Sequence, residues 1–325
     1  MAVNICMIGH GMMGRWHSEA LRGRDDCRLY TVVGRRDKPT AAFAAEFGYC
    51  KWTTKLEEGL SDDAVSIVIV ASPSETHAAI ALAALSHGKH TLVEVPIAMS
   101  LTDAERLVSV ARERELILGV VHPVRFVDEI MALHARTSAG EERVRQVVGR
   151  FYTHRLENVG ATGYRRSWTD NILWHHTTHL LDCAMWLTEP TVTRVHGFMP
   201  GPDPKTGTPM DVAYLVETEA DQSLVFVGSY YARVPQYDVM IVTDWDTYVV
   251  DIHRQILTTG EGPRPIHHEK VCNARVAQDF VLAVRDRREP FVSGESVLPT
   301  MAVVQQVQDQ WDRVHGARSV PGRPH

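Results

Sequence analysis

Cysteine is scarce in this chain of 325 residues, aromatic residues make up only 7%, and no long apolar run occurs. The five cysteines, Cys6, Cys27, Cys50, Cys183 and Cys272, are odd in number and scattered without a CxxC pair. That excludes a disulfide framework and a thiolate zinc site, and reads as reduced thiols. The longest apolar stretches, such as Val65–Ala71, fall far short of the roughly 20 residues that a membrane helix needs. The start Met1–Gly9 lacks the basic opening of a signal peptide. The expectation is a soluble, cytoplasmic protein with no membrane partner. An excess of positive charge is also missing, because 34 Lys+Arg against 40 Asp+Glu leave a net charge of −6. This argues against a chain built around nucleic-acid phosphates, so no nucleic-acid partner is expected. No internal repeat or low-complexity tract is seen, and 44% hydrophobic with 23% charged residues is globular rather than disordered composition.

What is present fits two domains, since the length exceeds that of a typical single core. From Val3 to about Val121, short β-branched runs (Val3–Ile8, Leu29–Val33, Val65–Val70, His90–Glu94, Leu116–Val121) alternate with helical segments at Met12–Leu21, Thr40–Phe47, Ser74–Ser86 and Leu101–Arg114. This pattern predicts five strands of a doubly wound parallel sheet over residues 1–122. Beyond His122-Pro123, longer alternating strands such as Val144–His154, Met210–Glu217, Ser223–Tyr230 and Tyr237–Val242 follow one another with few helices between. Residues 123–325 therefore read as an α/β domain with a large, open, mostly antiparallel sheet. Its helices are expected at about Asp170–Leu187, Asn273–Arg287 and Val297–Val314.

Gly9-His10-Gly11-Met12-Met13-Gly14 is a G-x-G-x-x-G placed directly after the first strand and before the first helix. In that context it is a dinucleotide fingerprint. Gly9 allows the tight turn, Gly11 lets a pyrophosphate approach the backbone, and Gly14 lets helix and strand pack closely, with Met12 and Met13 opening the helix. About twenty residues on, Gly34-Arg35-Arg36 stands where NAD-binding forms carry an acidic ribose ligand. Guanidiniums bind a 2′-phosphate, so NADP is the expected cofactor, with NAD weaker; alternatively Arg35, Arg36 and Lys38 form a solvated loop.

With these residues, the runs Ser72-Pro73-Ser74-Glu75-Thr76-His77, Gly88-Lys89-His90, Glu94-Val95-Pro96 and Arg125-Phe126 make the chain resemble the glucose–fructose oxidoreductase/inositol dehydrogenase/MocA family over essentially its full length. The resemblance implies a nicotinamide-binding Rossmann domain followed by a domain whose open sheet often makes a dimer, hence a homodimer or homotetramer. It also implies cofactor contacts at Ser72 and Pro73, with His77 a further candidate, and a turn beneath the nicotinamide at Glu94 and Pro96. Two departures stand out. The family's Glu-Lys-Pro is Glu94-Val95-Pro96, without the lysine, and its Asp-x-x-x-His is His175-His176-Thr177-Thr178-His179, with His175 in the aspartate's place. The segment Arg166–His179, with Val93–Ala98, is similar to a narrower branch. Its members oxidise the cyclic hemiacetal of a carboxylated hydroxymuconate semialdehyde to a pyrone lactone, with NADP as hydride acceptor. A sugar or inositol type of dehydrogenase is the alternative within the family, and an NADP-binding sensor without turnover is the alternative outside catalysis.

On a helix, His175 and His179 are i and i+4 and share a face with Asp182 at i+7, while His176 pairs with His179 at i+3. A general-base site, a zinc site using His175, His179 and Asp182, and a purely structural cluster compete for these residues. The missing Glu between the histidines and the lack of a cysteine partner weigh against metal, and none is expected. Within the family the histidine matching His179 lies nearest the nicotinamide, which makes it the expected principal base, with His175 or His176 as partner. A hemiacetal hydroxyl is more acidic than a plain alcohol, so imidazole suffices as the base. A small dicarboxylate substrate needs cations, for which Arg125, Arg165 and Arg166 are candidates, with His122 as hydrogen-bonding neighbour. Tyr164, Trp168 and Trp174 could wall a flat ring, although aromatics at such spacing are as often core.

Overall fold

The computed structural model describes residues 2–160, 163, 165–267 and 269–316. The chain forms two compact units. One comprises the chain up to Val121 with Val159–Arg166 and Asn273–Leu298; the other comprises His122–Asn158, Ser167–Cys272 and the chain from Pro299 onward.

The first unit carries strands β1 (Val3–Ile8), β2 (Cys27–Val33), β3 (Lys51–Thr53), β4 (Ile67–Val70), β5 (His90–Val93) and β6 (Leu118–Val120). They form one parallel sheet in the order β3-β2-β1-β4-β5-β6, the doubly wound arrangement of a Rossmann sheet. All four residues of β4 are fully buried, as a strand covered on both faces requires, which is why it reads as an unbroken apolar run. Helices α1 (Met12–Leu21), α2 (Asp37–Phe47), α3 (Leu56–Leu60), α4 (His77–Ser86) and α5 (Leu101–Glu113) follow these strands in turn. At the start of α5, Ser100 Oγ accepts from the Asp103 N–H and donates to the Asp103 carboxylate. Ala104, Leu107, Val108 and Ala111 are then its buried stripe. The sequence reading missed β3 and α3. The strand is three residues long and largely exposed at the sheet edge, too short to show a period.

The second unit contains α6 (Asp128–Ser138), β7 (Val144–His154), α7 (Thr178–Thr188), β8 (Val192–Phe198), β9 (Asp211–Thr218), β10 (Ser223–Ser229), β11 (Tyr231–Thr243), β12 (Thr247–Asp251), β13 (Ile256–Thr259) and β14 (Gly262–Pro265). Its sheet runs β14-β13-β12-β11-β7-β10-β9-β8 and is antiparallel except at β7/β10. Alternate residues are buried along β9 and β10, the signature of a sheet packed on one face. Helix α6 was not expected in this strand-rich part. Long helices α8 (Glu269–Asp286), which from Asn273 onward belongs to the first unit, and α9 (Leu298–His315) close the described chain.

Two glycines set how the histidine-bearing segment meets the second sheet. A Cβ on Gly149 of β7 would lie 2.9 Å from Leu180 Cβ, and one on Gly228 of β10 would lie 2.8 Å from Ile172 Cδ1. Both strands are bare at those points because the segment lies directly on them. The expected single helix over Asp170–Leu187 is instead a π-helical turn, Leu173–Thr177, running into α7. Such turns insert an extra residue and are common at functional sites.

Candidate functional site

In the first unit, Gly9 follows β1 at φ +100°, and a Cβ there would stand 2.3 Å from Ala71 O. A Cβ on Gly14 would stand equally close to Gly9 O, so both positions demand glycine. Gly11 differs, for a Cβ there would meet nothing within 4 Å. No side chain caps the N-terminus of α1 and no acidic residue lies in its first turn. Its leading N–H groups therefore face an open approach suited to an anion. Met12 is exposed and Met13 partly so.

After β2, Gly34 is buried, and a Cβ on it would fall 2.1 Å from Thr40 Oγ1. Arg35 and Arg36 are exposed. Thr40 Oγ1 donates to Arg36 O at 2.7 Å and lies 3.2 Å from His10 Nε2. Burial, together with the Arg36 charge, lowers the His10 pKa below its ordinary value. An open glycine at a helix start suits the phosphates of a dinucleotide.

The loops after β4 and β5 are tied together by His77, which is 1% exposed. Its Nδ1 lies 2.7 Å from Pro96 O and its Nε2 lies 2.8 Å from Ser72 O. Both ring nitrogens thus face the backbone of the two loops, which His77 ties together. Ser72 and Pro73 are partly exposed, whereas Glu94 and Pro96 are buried. Glu94 Oε1 sits 2.6 Å from Nε2 of the fully buried His17, a partner that sequence reading missed.

In the second unit the three predicted histidines gather, each with a different employment. His175 Nδ1 lies 2.7 Å from Asp170 Oδ2, with Asp170 4% exposed. A carboxylate only accepts, so Nδ1 donates and the neutral ring presents a bare Nε2. His176 Nδ1 lies 2.8 Å from the hydroxyl of the fully buried Tyr230, and its ring stacks on Phe151 at 4.0 Å. The rings of His175 and His176 are 4.1 Å apart. The His179 ring meets that of His122 edge-on at 5.3 Å, and its buried Nδ1 has no hydrogen-bond partner among the described residues. Burial first, then the nearby His122 and His175, hold the His179 pKa well below the ordinary value.

Asp182, expected on one helical face with His175, is fully buried. It points inward and takes Arg125 in a two-pronged ion pair, Nε to Oδ2 at 2.7 Å and Nη2 to Oδ1 at 2.6 Å. His122 Nδ1 stands 3.4 Å from the same carboxylate, and the Thr300 hydroxyl donates to it at 3.3 Å. Burial pushes the Asp182 pKa up, but Arg125 and His122 outweigh it and hold the carboxyl below its usual range. Arg125, expected at a substrate carboxylate, is 1% exposed with its fork turned to Asp182, and His122 is 3% exposed. Arg165 is exposed and Arg166 partly so. Tyr164 lies outside the described residues.

Of the aromatic candidates, Trp174 is core: it is 1% exposed and its Nε1 donates to Gln308 at 2.9 Å. Trp168 is partly exposed, with Arg155 over its ring. Besides His17, the sequence reading overlooked Asp170, Tyr230 and Arg155. Asp170 lies five positions before His175 and could have been weighed as its partner; Tyr230 and Arg155 arrive from distant strands and leave no local signal.

Comparison with known proteins agrees with this architecture. The model of an oxidoreductase family with an NAD-binding Rossmann fold matches residues 3–122, and that of a bacterial oxidoreductase C-terminal domain matches residues 130–269. The chain is 29% identical over 316 residues to the 4-carboxy-2-hydroxymuconate-6-semialdehyde dehydrogenase of Sphingobium sp. SYK-6, covering 96% of this chain and 99% of that protein. It is 44% identical over 120 residues to the 1,5-anhydro-D-fructose reductase of Ensifer adhaerens, 37% of this chain and 36% of that protein. Among solved structures, an oxidoreductase domain protein from Kribbella flavida superposes with a TM-score of 0.83 at 21% identity, over 95% of this chain and 96% of that one.

Proposed function

Since the chain belongs to the Gfo/Idh/MocA family of NAD(P)-dependent oxidoreductases, we propose that it oxidises the cyclic hemiacetal of 4-carboxy-2-hydroxymuconate-6-semialdehyde to the lactone 2-pyrone-4,6-dicarboxylate, with NADP as acceptor. The observation that carries this reading is the Asp170–His175 pair beside His176, an imidazole base in a chain that lacks the family's lysine. Similarity along almost the whole length to a dehydrogenase named for that semialdehyde adds support.

We assign the base to His175. Its bare Nε2 accepts the hemiacetal hydroxyl proton, and Asp170 holds the tautomer and stabilises the imidazolium that forms. As the O–H bond breaks, its electron pair forms the carbonyl π bond and the carbon-bound hydrogen leaves with the C–H electron pair as hydride. The nicotinamide supplies the hydride acceptor when bound. His179, held neutral by burial, and His176, held by Tyr230, orient the substrate oxygens as hydrogen-bonding groups. Gly9, Gly11, Met12, Met13, Gly14, Ser72 and Pro73 line the cofactor side, His77, Glu94 and Pro96 hold its loops, and Arg35 and Arg36 take the 2′-phosphate. Arg165, Arg166 and Trp168 remain candidates on the substrate side. We further read the protein as a cytoplasmic homodimer or homotetramer. The five free cysteines and the exposed Phe198, Val234 and Trp245 of the second unit support this, and light scattering tests the assembly.

The reaction is tested by nicotinamide absorbance with purified protein, NADP and the ring-cleavage product made in situ from protocatechuate by its 4,5-dioxygenase. Rapid reduction with appearance of the pyrone is expected. Reduction only with sugars or inositols would move the protein to that branch, which the similarity to the anhydrofructose reductase favours. Cofactor binding with no turnover on any of these would leave a sensor.

A further inference from the structure

We infer that Arg155 anchors a carboxylate of the substrate, held ready for it by Trp168 and Tyr230. The inference rests on the dicarboxylate reading above and names a residue that neither the glycine motif nor the histidine segment points to. Arg155 follows the last residue of β7, and its N–H donates to Tyr230 O at 2.8 Å, which fixes the backbone there. Its guanidinium carbon lies 5.6 Å from the Trp168 ring centre and 5.4 Å from that of Tyr230. The Nη2 group donates to Asn158 Oδ1, and Asn158, 5% exposed, is itself pinned by its bond to Ser167 O. Nη1 stands 3.5 Å from the Tyr230 hydroxyl, at the limit of a hydrogen bond.

Among the described residues this guanidinium meets no counter-charge. Arg125, Arg136 and Arg150 of the same unit each meet a carboxylate, in Asp182, Glu142 and Asp238. Arg155 is only partly exposed, yet among the described residues no acidic group lies within ion-pair reach of it. Contact with two neighbouring rings holds a cation in a fixed pose but leaves part of its desolvation uncompensated, and a planar anion completes the arrangement. The fork matches a carboxylate in geometry, and its aromatic neighbours suit a flat ring. The location is also apt, because the same Tyr230 hydroxyl contacts His176, whose ring adjoins that of His175.

Titration calorimetry of the full chain with NADP and benzene-1,3-dicarboxylate tests the anchor, using Arg155→Gln and Arg155→Lys alongside the parent. Loss of a charge-assisted pair is expected to weaken Arg155→Gln by about tenfold or more, with Arg155→Lys recovering part of the affinity. Equal affinity of Arg155→Gln and parent, no binding by the parent, or equal affinity for the dimethyl ester or inorganic phosphate would overturn the assignment. Arg155-dependent binding without hemiacetal oxidation would support the anchor and sink the proposed reaction. Oxidation with an unchanged KM in Arg155→Gln would do the reverse.

Discussion

Asp170 and His175 face each other across the entrance of a π-helical turn, Oδ2 to Nδ1 at 2.7 Å, so that a buried carboxylate dictates which imidazole nitrogen is bare. Asp170→Asn puts an amide that can donate in place of a group that only accepts, and so favours the opposite tautomer. With NADP saturating, kcat is expected to fall about 10²-fold or more while cofactor affinity is retained, and Asp170→Glu is expected to recover part of the rate. Unchanged kcat in Asp170→Asn would remove the dyad from the mechanism.

Gly11→Ala separates cofactor binding from folding. The added methyl meets no protein atom within 4 Å, so the melting temperature of the cofactor-free protein should stay within a degree or two. Titration should show NADP bound about tenfold more weakly, because the methyl would stand on the proposed path of the phosphates. At Gly9 the same change would strike Ala71 O and lower stability as well.

Arg35 and Arg36 are exposed and follow β2. Replacing both by Ala is expected to weaken NADP by roughly 10- to 100-fold and to leave NAD nearly unaffected, as charge-assisted bonds to a 2′-phosphate would be lost. Parallel fluorescence titrations with the two nucleotides give the answer, and equal losses for both would refute the selectivity.

The Arg125–Asp182 pair is buried on both sides. Removing one partner, as in Asp182→Ala, strands a charge in the interior and should cost about 3–5 kcal/mol of stability. The double change Arg125→Met with Asp182→Leu should cost much less. Chemical denaturation midpoints of the parent, single and double variants form the check; additive losses would mean that the two side chains act independently.

Stability should also depend on pH through His179. The unfolded chain binds a proton near pH 6.5, whereas burial holds the folded His179 pKa well below that. The unfolded state therefore gains protons first, and stability falls as pH drops below about 6.5. His10, His90 and His134 shift in the same direction, so the parent should show a sum of such effects. His179→Gln should flatten part of the decline in melting temperature between pH 7.5 and 5.5. Parallel curves for the two proteins would count against a depressed His179.

The cofactor half was legible because its signals are local. A strand, three glycines at fixed spacing and a helix start are contiguous, and β4 reads as buried from its own four residues. Helix periodicity did not report the π-helical turn at the histidines, nor that Asp182 pairs with Arg125 and His175 with Asp170. The partners of that segment come from afar. Tyr230 and Arg155 sit at the ends of strands whose pairing no short-range pattern reports.

By itself, then, the amino-acid order determined the two-part α/β architecture, the dinucleotide fingerprint and the residue types available for proton transfer, since each depends on spacing along a few turns or strands. Only the tertiary structure decided which imidazole has a bare nitrogen, which guanidinium is spent on a buried aspartate and which meets no acidic partner among the described residues. Those properties depend on burial and on partners brought from distant segments, and pairing over such distances is set by packing of the whole unit.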